Sequence, residues 1–144
     1  MVLSTPTFEG TSPHIQDRYI IPMIAGEDLT MGQVVEITAD NTVKKPTTNP
    51  SLKRCGVCMT TAKSGKEISV LWRGRARATA YGTITAGDFV VSGPSGTIQT
   101  QAAATSTDCN TSAGTATSIN QNRAKLGFCE IGAASGGSAI ILII

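Results

Sequence analysis

The chain is 144 residues long, enough for one domain with a modest core. Charged residues make up only 15% and aromatics 4%, with 15 Gly and 6 Pro, which excludes a coiled coil, a charge-rich disordered chain and a long helical bundle. The net charge of +2 is too small to imply nucleic acid, but it is uneven: −5 over residues 1–43, +8 over 44–77 and −1 over the rest.

The first ten residues lack both a basic n-region and an apolar h-region, so no secretory signal is expected and the protein is expected to be made in a cytoplasm. Residues 1–24 read as an extended N-terminal arm. Thr5-Pro6 and Ser12-Pro13 push their first residues toward extended geometry, and no periodicity develops before Tyr19. Tyr19 to Ile24 is then a short apolar run broken by Pro22, suited to an edge strand or a docked arm.

From residue 25 to 144 the signals are β. Val34 to Thr38, a turn at Ala39-Asp40-Asn41-Thr42 and a return at Val43 predict a hairpin. Ile68 to Thr79 predicts a long strand in which Arg73, Arg75 and Arg77 share one face and Trp72 turns to the other, into the core. Phe89 to Ser92, a Gly93-Pro94-Ser95-Gly96 turn and Thr97 to Thr100 predict a second hairpin. Lys125 to Ile131 reads as a further strand. The apolar end, Ala139 to Ile144, is far too short to cross a bilayer, so no membrane partner is expected.

The β region repeats itself. Leu29-Thr30-Met31-Gly32-Gln33-Val34-Val35 matches Ile84-Thr85-Ala86-Gly87-Asp88-Phe89-Val90 at an offset of 55, and Gly56-Val57-Cys58 matches Gly127-Phe128-Cys129 at 71. The growing offset places extra loop in the second copy, at the polar insertion 100–122. The expectation is an all-β, small β-barrel or β-tulip-like domain built from two similar halves, 25–79 and 80–144.

The single histidine, His14, lies in the arm, a poor place to hold a catalytic base. Gly65-Lys66 lacks the Gly before and the Ser/Thr after that a phosphate loop needs, with Thr60 and Glu67 in those places. Cys55-Gly56-Val57-Cys58 is a C-x-x-C, but in a strand its thiols point to opposite faces, and Cys109 and Cys129 supply no second pair. Buried thiols are the favoured reading, with disulfides unassigned. No residue is given a catalytic, cofactor-binding or metal-ligating role, and no cofactor is expected.

The arginine stripe is either a solvated face or a protein-contact surface. Too few aromatics accompany it for a nucleic-acid partner. Ala25-Gly26-Glu27-Asp28-Leu29-Thr30-Met31-Gly32-Gln33-Val34-Val35, then Arg54-Cys55-Gly56-Val57-Cys58 and Ala62 to Val70, with recurrences at Ile84–Val91 and Leu126–Ile143, resembles the small capsid decoration (cement) proteins of tailed double-stranded DNA viruses. That resemblance implies a non-enzymatic virion protein, trimeric, bound outside an HK97-type shell and bridging capsomers. Its partners would be the major capsid protein and other copies of itself. The expected contact residues are Pro13, His14, Asp17, Arg18 and Tyr19 of the arm and Arg73, Arg75 and Arg77 of the stripe. The alternatives are a head-fibre or glycan-binding module on a virion and, behind it, a small thiol-dependent enzyme.

Overall fold

A computed structural model of the chain describes residues 18–101 and 125–144. Pro13, His14 and Asp17, Cys109, and all of the polar insertion beyond Gln101 lie outside the described residues. Among the described residues there are nine strands: β1 (Tyr19–Ala25), β2 (Val34–Ala39), β3 (Thr42–Lys44), β4 (Cys55–Cys58), β5 (Glu67–Thr79), β6 (Phe89–Ser92), β7 (Ile98–Thr100), β8 (Lys125–Ile131) and β9 (Ser138–Ile143). The only helical element described is a short 3₁₀ turn, Pro94–Gly96. The protein is all-β, as the turn-rich, helix-poor sequence predicts.

The two predicted hairpins form as β2–β3 and β6–β7. Each turn holds one non-glycine residue at positive φ, Asn41 (53°) and Ser95 (57°), in the left-handed region that short polar side chains tolerate. The order β1-β3-β2-β4-β5, with β5 returning to β1, closes a five-stranded barrel. Residues 19–24, grouped with the arm in the sequence reading, are built into this barrel. They run antiparallel to Glu67–Arg73 of β5, and Ile24 and Ala25 run parallel to β3. Pro22 fits because the β3 ladder starts only at Ile24, whose N–H donates to Asn41 O at 2.7 Å; two residues earlier that edge asks for no donor.

The second half of β5 carries β9, β8, β6 and β7 in turn, and Ala80 comes back to Ile98 of β7 through a parallel bridge. The long strand is therefore shared between two five-stranded arrangements. Their turns are bonded alike. Leu29 N–H donates to Ala62 O and Ile84 N–H to Ala133 O, both at 2.9 Å; Gly32 N–H donates to Cys58 O at 2.9 Å and Gly87 N–H to Cys129 O at 2.8 Å. These bonds are spaced by the same offsets, 55 and 71, at which the sequence repeats.

Two apolar cores follow from this plan. Met23, Leu29, Val35, Val43, Cys58, Ile68, Val70 and Trp72 fill the first barrel. The corresponding Ala78, Ile84, Val90, Ile98, Cys129, Ala139, Ile141 and Ile143 fill the second. Val34, Val57 and Leu71 point outward from the first barrel and are buried in the second core, so one outer row of the first barrel is the seam between the two. A buried polar link crosses the same seam: Glu36 of β2 accepts from the Ser51 hydroxyl, and Ser51 N–H donates to Ser92 Oγ of β6 at 2.8 Å. Burying that carboxylate is tolerable because it is bonded on the spot.

Candidate functional site

Strict alternation along β5 sends Arg73, Arg75 and Arg77 outward and Trp72, Ala76 and Ala78 inward. The stripe is not uniform. Arg75 is tied to Glu130 of β8, Nε to Oε1 at 2.6 Å, whereas neither Arg73 nor Arg77 has a carboxylate partner among the described residues.

Where β5 meets β1 the register slips. Arg73 faces Tyr19 and Leu71 faces Ile20, so Trp72 is an extra residue, a β-bulge. Its carbonyl accepts from Arg54 Nη2 at 2.7 Å. Gly74 follows at φ +118°, with Arg18 lying across it: a Cβ there would stand 3.3 Å from Arg18 Cα. The bulge and the glycine thus bring Arg18, Tyr19, Arg54 and Arg73 to the mouth of the first barrel. They rim a cavity of about 610 Å³ walled by Ile21, Met23 and Trp72.

A second surface lies on the other barrel. Phe89 of β6 faces Phe128 of β8, which faces Leu142 of β9, which faces Arg75 of β5: one outward row across four strands. Phe89 is 48% exposed, with Lys125 Nζ 4.1 Å from its ring centroid. In the first barrel the corresponding row, Val34, Val57 and Leu71, is the buried seam.

The thiols sit elsewhere. Cys55 joins the second core and Cys58 the first, on opposite faces of β4, and both are free, as is Cys129. Burial pushes the Cys55 thiol up to about 11 and Cys58 up to about 12, and raises Cys129 with help from the charge of Asp88. A thiol held protonated is a poor nucleophile. Iodoacetamide is expected to label these three cysteines of the native protein at least about a hundredfold more slowly than in denaturant. The same shifts set a pH dependence. An unfolded thiol ionises near its ordinary value of 9.0 while the folded one stays protonated, so this stability is intact below pH 9 and falls from there toward pH 12. Urea midpoints measured from pH 7 to 11 are expected to be flat first and then to decline.

A family profile described as phage cement protein matches residues 13–131. The chain belongs to the phage cement protein family. Among solved structures, that of the head fiber gp8.5 N base in bacteriophage phi29 is similar with a TM-score of 0.60 at 13% identity, over 88% of this chain and 94% of that one. At that identity the likeness shows a common fold. No curated protein sequence matches. The family likeness carried by Ala25–Val35 and Arg54–Val70 is borne out, and the protein is a structural component of a phage virion.

In this cement protein much of the charge asymmetry is answered within the chain. Glu27 pairs with Lys45 at 3.9 Å, Glu36 with Lys53 at 3.9 Å and Asp28 with Lys63 at 3.5 Å. Ser64 N–H also donates to Asp28, and with Lys63 holds its carboxyl below the usual range. Among the described residues Arg18, Arg54 and Arg73 of the rim have no carboxylate partner. Of the expected contact residues, the structure brings Arg18, Tyr19 and Arg73 together, leaves Arg77 further along the stripe and ties up Arg75. Arg54, Phe89 and Phe128 were missed. The signal for Arg54 was its place in the basic stretch beside Cys55; Phe89 and Phe128 were legible as repeat positions matching Val34 and Val57.

Proposed function

We propose that this cement protein binds the outside of an HK97-type shell and stabilises it by bridging neighbouring capsomers, in contact with the major capsid protein and with other copies of itself in a trimer. The role needs no catalysis. The observation that carries it is that one small β body presents two unlike surfaces, the arginine rim at the mouth of the first barrel and the Phe89–Phe128–Leu142 row of the second. Bridging requires two faces, and modest interfaces repeated over a lattice resist pressure because many must open together. The aromatic row has the composition of an interface centre and the arginines that of a rim.

The likeness to the phi29 head fiber base favours a second reading, the foot of a fibre on the head. Quantitative mass spectrometry of purified particles separates the two. A copy number comparable to that of the major shell protein is expected for cement. A handful of copies would assign the chain to a fibre or vertex, and absence from particles would overturn both.

A further inference from the structure

We infer that the cavity at the mouth of the first barrel is a recognition pocket for an acidic peptide segment, taking one carboxylate between Arg18, Arg54 and Arg73 and a neighbouring apolar side chain against Trp72. That the segment comes from a capsid partner rests on the proposed function; its chemistry does not.

The pocket's polar inventory is lopsided. Trp72 is only 6% exposed, yet its indole Nε1–H has no acceptor among the described residues. That group only donates, and a buried donor left unmatched is costly. The same cavity is lined by arginines, whose guanidinium groups also only donate: among the described residues Arg18 and Arg73 have no carboxylate partner, and Arg54 spends one N–H on the Trp72 carbonyl. The missing complement is an anionic acceptor, and a carboxylate suits the planar fork of arginine. Ile21, Met23 and the indole face ask instead for hydrocarbon, and the volume is that of an ordinary ligand site.

The fold itself does not demand this arrangement. At the corresponding places of the second barrel Ile143 stands for Trp72, Ala78 for Met23 and Ala76 for Ile21, and no buried indole is left without a partner. The continuation of the charge argues for an extended segment over a small free acid. From Arg73 the stripe runs along β5 to Arg77, both without a carboxylate partner among the described residues, while Glu130 occupies Arg75 between them. Residues four apart on a strand are about 13 Å apart, the spacing of acids four apart on an extended peptide.

Trp72 is the only tryptophan in the chain, so its fluorescence reports on the pocket directly. Full-length protein is titrated with a blocked pentapeptide carrying glutamate at both ends and leucine beside the first. A saturable emission change is expected, weakened about tenfold or more when the glutamates are replaced by glutamine. Arg73→Gln is expected to weaken binding about tenfold with its urea midpoint unchanged, and Arg73→Lys less. No saturable change, equal binding of the glutamine peptide, or indifference to Arg73→Gln would overturn the pocket. Saturable binding of decanoate without binding of the peptide would overturn the peptide assignment. None of these results depends on particle copy number, so failure of the pocket and failure of the cement role are told apart.

Discussion

Gly127→Ala is expected to destabilise the protein by about 3 kcal/mol or more, a large share of the stability of a domain this size. Gly127 lies in β8 directly beside β9, and a Cβ built there runs into the Leu142 carbonyl oxygen. That oxygen belongs to the backbone and cannot rotate away. The β8–β9 ladder must open, and with it the face of the second barrel that carries Phe128. A Cβ at Gly56, 71 residues earlier, would be crowded the same way, 2.7 Å from the Leu71 carbonyl oxygen. Neither glycine has a positive φ; the constraint is space. Gly65→Ala is the control. Gly65 has φ +84° and nothing within 4 Å of a Cβ, so its cost is conformational alone, about 1 kcal/mol. Urea unfolding followed by Trp72 emission separates them: a Gly127→Ala midpoint no lower than that of Gly65→Ala would show that β9 yields easily.

These two glycines also show how far the sequence could be read. Gly56 and Gly127 stood out as anchors of the repeat, because two short blocks recur in the same order. Their reason, a neighbouring carbonyl on the next strand, depends on pairing between segments far apart in sequence. The hairpins at Asn41 and Ser95 were legible because turn chemistry is local. The alternation of β5 was legible too, with Trp72 inward and the arginines outward. What alternation could not reveal is the bulge at Trp72, since it arises from the register against β1, a segment that reads by itself as part of an arm. The rim followed from that miss: without the bulge there was no cause to join Arg54 to Arg18 and Arg73. Likewise Val34 and Phe89 occupy matching places in the repeat, yet one is sealed in the seam and the other faces solvent. Which copy is covered is decided by how the halves pack.

Reversing Arg73 and Arg77 together to Glu is expected to weaken binding to cement-free particles by about a hundredfold and to flatten its salt dependence. Both side chains are exposed and unpaired among the described residues, so their loss removes no internal ion pair. Arg75 is left alone because a glutamate there would stand against Glu130 and strain the barrel for reasons unrelated to docking. Exposed charges act mainly on encounter and on partner choice, and that contribution is screened within a Debye length of about 8 Å at physiological salt. Two reversals replace two attractions by two repulsions, which is why the expected effect exceeds that of neutralising them. Particles are incubated with wild-type or Arg73→Glu/Arg77→Glu protein over a range of salt, and bound protein is counted after sedimentation. Circular dichroism and the urea midpoint confirm that the barrels are intact. Equal binding with an equal salt slope would make the stripe a solvated face and move the shell contact to the Phe89–Phe128–Leu142 row, where Phe128→Ser would then be the variant that abolishes it.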